Sequence, residues 1–176
     1  MITVNEDSSL LLKNFGWLED RKLPLPDYID EPNTPNIVKS IISSLYGLKC
    51  ENSRGNKRIF EVHEAYIHDF EEYMEDLLED TGLETLRFYP LGSMSEQSGI
   101  IVLDEHGRFY LAGDELIFYG KNIDDFFKVV FFNQRTGLSI RDNQKTYYCY
   151  NDRDTGYLFD TELGWLGEEK KLSIDY

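Results

Sequence analysis

The 176-residue sequence predicts an α+β fold, a single domain with a central, mainly antiparallel sheet flanked by helices. Two observations carry this prediction. Up to about residue 80, apolar residues recur at helical spacing in separate stretches; from Leu86 they change to short apolar or alternating runs divided by turn residues. A further helical signal opens at Asn122, after those runs. The length suits one hydrophobic core, and neither a long linker nor a fixed-period repeat suggests a second unit. One domain is therefore expected over residues 1–176, with 133–176 as a C-terminal extension.

Ser8 or Ser9 is expected to cap a first helix whose Leu11, Leu12 and Phe15 share a face and which stops at Gly16. After a charged, proline-containing loop, Thr34 and Pro35 signal a second helix, because threonine accepts an amide bond and proline loses nothing at the first helical position. Its Ile37, Ile41, Ile42 and Leu45 form one stripe, and Gly47 ends it. Leu48–Glu51 and Arg58–Val62 read as two strands around a polar loop. A third helix is expected from about Glu64 to Glu79, with Tyr66, Phe70, Tyr73, Met74, Leu77 and Leu78 at helical spacing and Gly82 at its exit.

Leu86–Tyr89, Gly99–Leu103, Arg108–Leu111 and Leu116–Tyr119 then read as an antiparallel meander, with Asp104-Glu105-His106-Gly107 its clearest hairpin turn. Asn122, with Asp125 three residues on, caps a helix carrying Phe126, Phe127, Val129 and Val130. Beyond Asn133, aromatic residues return among polar ones, which suits one or two edge strands or an extension laid over the sheet.

Charge narrows the function classes. The chain carries 33 acidic and 18 basic residues, for a net charge of −15, and ten carboxylates with no lysine or arginine fall between Glu61 and Glu84. Such a surface repels nucleic acid and acidic membranes and attracts cationic proteins, so any partner should be basic. A hydrophobic content of 41% separates the chain from a disordered acidic tail. No run approaches the roughly 18 apolar residues of a membrane span, and the expected location is the cytoplasm. Cys50 and Cys149 would permit one disulfide but are expected as buried thiols in a reducing compartment.

No motif for catalysis or a cofactor emerges. His63 and His68 are five apart, which at about 100° per residue turns them to different faces of a helix. The helical acids lack the loop geometry that wraps calcium. Ser93 and Ser95 near Gly92 do not form a nucleophile elbow, and Gly107, Gly113 and Gly120 serve turns, with no phosphate-cradling loop leading directly into a helix. The reading is therefore not an enzyme, with no metal, no cofactor and no nucleic-acid or membrane partner.

A more specific pattern lies in the sheet segment. Arg87-Phe88-Tyr89-Pro90-Leu91-Gly92, Ile101-Val102-Leu103-Asp104-Glu105-His106-Gly107-Arg108-Phe109-Tyr110 and Phe118-Tyr119-Gly120-Lys121-Asn122, taken in order, resemble the SUKH-3 branch of the SMI1/KNR4 immunity-protein superfamily. Gly16-Trp17 with Arg21 resembles the family's amino-terminal motif, and Pro35–Leu48 its following helix. The resemblance covers roughly Leu10 to Phe132.

It implies a compact α+β protein that binds and blocks a cognate toxin domain of bacterial origin, with no catalytic residues. The family-motif positions Gly16, Trp17, Arg21, Tyr89, Pro90, Gly92, Asp104, Gly107, Arg108 and Gly120 are expected chiefly as fold determinants, with Arg108 either bridging a carboxylate or meeting the partner. For toxin contact the candidates are the outward acids Glu71, Glu72, Glu75, Asp76, Glu79 and Asp80, helped by exposed tyrosines. These acids have a second reading, as the solvated face of a helix. The alternative function is a cytoplasmic protein-interaction or regulatory module that neutralises nothing. No feature indicates an oligomeric state.

Overall fold

The computed structural model describes residues 2–29, 31–52, 55, 57–79, 81–94, 99–149, 154–160 and 164–165. It is an α+β fold of helices around a large antiparallel sheet. Helices α1 (Glu6–Asn14) and α2 (Asn36–Leu45) open the chain. The short β1 (Lys49–Glu51) and β2 (Lys57–Ile59) follow, then α3 (Glu64–His68) and α4 (Phe70–Leu78). The central meander is β3 (Phe88–Met94), β4 (Ile100–Asp104), β5 (Phe109–Ala112) and β6 (Leu116–Gly120). After α5 (Ile123–Val130) come β7 (Leu138–Arg141), β8 (Lys145–Tyr148), β9 (Asp154–Asp160) and β10 (Gly164–Trp165). Among the described residues the strands pair in chain order, each antiparallel to the next.

Both faces of the sheet are buried, which is why its central strands read as near-continuous apolar runs. On one face Ile101, Leu103, Phe109 and Leu111 pack with Leu12, Trp17, Val38, Ile42, Leu45, Phe126 and Phe127 from α1, α2, α5 and the loop after α1. On the other, Ile100, Val102, Tyr110 and Ala112 meet Phe70, Met74 and Leu78 of α4 together with Leu138, Ile140 and Phe159. Alternate residues of each strand thus serve different cores, as the pleat requires.

The chain after Asn133 adds more than one or two edge strands. Strand β9 stands three places from β6 in the pairing order, which in a flat sheet would separate them by about 14 Å. Yet the Phe159 ring lies 5.1 Å from that of Phe118 and 6.1 Å from that of Tyr110. The sheet must therefore curl, bringing β9 over the face that α4 also covers. The β7–β8 turn joins the two. Gln144 donates its backbone N–H to the Thr81 carbonyl at 2.6 Å and its side-chain amide to the Gly82 carbonyl at 2.9 Å.

Four expectations need correction, one of them at α2, where Pro35 and not Thr34 is the N-cap and no side chain supplies a capping bond. The cap of α1 is Asn5, whose side chain accepts from the Ser8 amide at 2.8 Å; Ser8 and Ser9 lie within the helix and are buried. The Asn5 amide in turn donates to the Asp124 carboxylate at 3.1 Å, so a contact with α5 fixes where α1 begins. The Glu64–Glu79 helix is two helices, broken at Asp69, whose backbone leaves helical geometry (φ −111°, ψ 20°). Aspartate is a poor interior helix residue, and Asp69 stands at the N-cap of α4 without a side-chain capping bond. Finally, the buried stripe of α2 runs through Val38, Ile41, Ile42 and Leu45, while Ile37 is 49% exposed.

Candidate partner-binding face

Helix α4 sorts its residues cleanly. Phe70, Met74 and Leu78 are buried against the sheet, and Glu71, Glu72, Glu75, Asp76 and Glu79 are exposed. Asp80, the sixth candidate, lies outside the described residues. Among the described residues none of the five makes an ion pair. Glu71 and Glu72 sit in the first turn, where negative charge is favourable. Asp76 and Glu79 face the negative end of the helix dipole, and Glu71–Glu75, Glu72–Asp76 and Glu75–Glu79 are like-charge pairs four residues apart. Each such pair costs an isolated helix about 0.2–0.5 kcal/mol.

The same helix forms one wall of an open groove of about 1190 Å³. Opposite stands the loop carrying Tyr28, Ile29, Asn33 and Thr34, and Glu84–Pro90 completes the cleft. Its apolar lining includes Met74, Leu78, Leu86 and Phe88, while Glu71, Glu72 and Glu75 reach it from α4. Asp76 and Glu79 lie outside it, so the groove divides the candidate acids into two sets. The Tyr28 hydroxyl is enclosed without a hydrogen-bond partner among the described residues. Burial chiefly, with Tyr46 and Glu61 adding to it, raises its pKa above the usual tyrosine value. Tyr28, Glu84 and Arg87 were not candidates from sequence. A proline in a strand, Pro90, is the sign in the sequence of an edge left without a pairing strand.

The family-motif residues serve the scaffold, with Trp17, Arg21, Gly107 and Gly120 set against α2 or α5 on the side of the sheet opposite α4. Trp17 is buried and donates its indole N–H to Ser44 Oγ at 2.9 Å, and Arg21 Nη2 donates to the Tyr46 carbonyl at 2.7 Å. Both therefore fasten the loop after α1 to the end of α2, where an arginine also satisfies a carbonyl the helix leaves open. Gly16 follows α1 at a φ of 85°. Gly92 has no room for a side chain, because an added Cβ would collide with the Ile59 carbonyl and come within 2.8 Å of Phe60 Cα. Gly120 lies against Asp125 at the start of α5. Tyr89 and Pro90 belong to the groove wall.

Asp104 organises the β4–β5 hairpin. Its Oδ1 accepts from the His106 and Arg108 amides at 2.9 and 3.0 Å, and its Oδ2 from Arg108 Nε and, at 2.8 Å, from the Tyr110 hydroxyl. Asp104 and Arg108 are both buried, so the bridge expected for Arg108 forms inside the protein. The Arg108 guanidinium also lies 5.4 Å from the Phe159 ring centroid, a cation–π distance. Burial, then the charge of Asp104, holds the Tyr110 hydroxyl well above its ordinary pKa. Gly107 completes the turn at a φ of 78°, beneath Ile37 and Ile41 of α2.

Cys50 and Cys149 are free, buried thiols, each pushed up to about 12, by burial at Cys50 and by burial and then Glu115 at Cys149. No described helix is long and apolar enough to cross a membrane, and no described cluster of three His, Cys, Asp or Glu side chains is placed to hold a metal.

No curated protein and no solved structure matches the chain. A family model described as SUKH-3 immunity protein matches residues 4–131. That span takes in every element from α1 to α5 and all the motif positions from Gly16 to Gly120, and the chain belongs to the SUKH-3 family of immunity proteins, within the SMI1/KNR4 superfamily.

Proposed function

We propose that this protein binds the toxin domain of a cognate bacterial toxin in the cytoplasm and neutralises it by covering a cationic surface the toxin needs. The family supports an immunity role in general. The observation that carries the specific reading is the α4 acid face, five exposed carboxylates held at mutual cost and without a described cation partner. A basic toxin surface would relieve that repulsion on binding. Complementary fields accelerate encounter by about 10-fold to 1000-fold at low salt. Exclusion is sufficient for neutralisation, and no catalytic group is required of the inhibitor.

The test pairs this protein with the toxin encoded beside its gene. Wild type should restore growth when the two are co-expressed. Reversing Glu71, Glu72, Glu75 and Asp76 to lysine together should slow association about tenfold or more at low salt, with the gap narrowing as salt is added. A well-expressed wild type that neither restores growth nor binds the neighbouring toxin would overturn the assignment and favour a regulatory module. An unchanged association rate in a folded charge-reversed variant would remove the α4 face from the mechanism.

A further inference from the structure

Strand β3 has two neighbours of very different length. Strand β4 runs along it from Phe88 to Ser93, whereas β2 covers only Ser93 and Met94. The Asp104 N–H donates to the Arg108 carbonyl at 3.1 Å, on the β5 side. By alternation, Leu103 turns its backbone groups toward β3, and Val102 turns toward β5 again. Phe88 and Pro90, which stand opposite Asp104 and Val102, consequently direct theirs away from β4. Pro90 fits that position because it has no N–H to lose. Among the described residues no strand pairs with this side of Phe88–Pro90, and the same residues line the acid-walled groove.

Phe88, Tyr89 and Pro90 are buried, so this unpaired edge lies at the floor of the groove and not on an open surface. We infer that it takes up an extended, lysine- or arginine-bearing segment of the toxin as an added strand, a mode that rests on the toxin-binding reading above. The edge offers one donor, the Phe88 N–H, and two acceptors, the Phe88 and Pro90 carbonyls. That is a short ladder, so backbone pairing sets direction and register while charge supplies most of the attraction. The occupant's charge follows from the walls, where Asp69, Glu71, Glu72, Glu75 and Glu84 face Arg87 as the one arginine or lysine in the lining. An acidic segment would be repelled there, and a neutral one would strip water from carboxylates and return nothing. Side chains alternating along an added strand would send every second one toward the apolar lining of Met74, Leu78 and Leu86.

The experiment uses the full chain and a fluorescent octapeptide of alternating valine and lysine. Its controls are a glutamate-for-lysine version and one N-methylated on its valines, which keeps the charge and removes half the backbone donors. The lysine peptide should bind, the glutamate peptide should not, and N-methylation should weaken binding about tenfold or more. The Phe88 amide should become protected from hydrogen exchange when the lysine peptide is bound. Glu72→Lys with Glu75→Lys, inside the groove, should lower affinity about tenfold, against less than about threefold for Asp76→Lys with Glu79→Lys outside it. Equal binding of the methylated peptide, equal loss in the two double variants, or no binding of the lysine peptide overturns strand addition.

A parallel arm separates this failure from failure of the toxin reading. If the neighbouring toxin is neutralised while the Phe88 amide stays unprotected in that complex, immunity stands and the edge is not the site. If the lysine peptide protects Phe88 but the toxin is neither bound nor neutralised, the groove has its ligand class and the toxin is removed as its occupant.

Discussion

Asp104 meets four donors with two oxygens, two of them backbone amides of its own hairpin and two side chains from β5 and the turn before it. Removing it would leave the Arg108 guanidinium buried without its carboxylate. A buried charge stripped of its partner costs about 3–5 kcal/mol, far more than the pair contributes when intact. Asp104→Ala should therefore lower the urea-unfolding free energy by that amount, and Arg108→Met, which leaves the buried Asp104 carboxylate without its cation, should also be costly. The double variant Asp104→Ala with Arg108→Met should cost clearly less than the sum of the two single losses, and additive losses would mean that the pair is not electrostatically coupled. The turn itself was legible from Asp104 and Gly107, because each residue type has a local reason to be there. Tyr110 was not. Strand alternation places its side chain on a face but says nothing about what its hydroxyl will meet. The cap of α1 failed differently: Asn5, Ser8 and Ser9 are all good capping residues, and a bond to Asp124, 119 positions away, selects among them.

At the scale of elements, the apolar period located α2, α4 and α5 well, since their buried faces meet one surface over two or more turns. It ran α3 and α4 together because Tyr66 and Phe70 keep helical spacing across the break at Asp69. Spacing records phase, and a change of axis leaves phase intact. The groove was less legible still, being a space between a loop, a helix and a strand edge that no single segment encodes. Strand β9 supplies the clearest test of an element the family span does not reach. Phe159 is fully buried against Phe118, Tyr110 and Arg108, whereas its neighbour Leu158 is 59% exposed. Phe159→Ala should cost about 3–5 kcal/mol in urea unfolding, and Leu158→Ala about 0.5 kcal/mol or less. Similar, small effects at both positions would show that β9 does not close the second core.

For the whole molecule, burial favours the neutral forms of five weak acids, Cys50, Cys149, Tyr110 and the half-buried Tyr28 and Tyr73. Cys50 and Cys149 rise from 9.0 to about 12, and Tyr28, Tyr73 and Tyr110 rise above their usual 10.0. Each keeps its proton longer folded than unfolded. Their contribution is thus fully present below the unfolded pKa and is lost as pH climbs through the folded one, because the unfolded chain gives up its protons first. For the thiols the window is pH 9 to about 12, with a slope of at most about 1.4 kcal/mol per pH unit for each group. Urea midpoints should accordingly fall steadily above pH 9. General self-repulsion of so acidic a chain would act in the same direction, since its lysines also lose charge there. Substitution separates the two effects. Cys50→Ala with Cys149→Ala removes the thiol linkage, changes no charge at neutral pH, and should flatten the decline between pH 9 and 11. A double variant whose stability falls as steeply as wild type over that interval would assign the alkaline loss to surface charge and leave the buried thiols without a part in it.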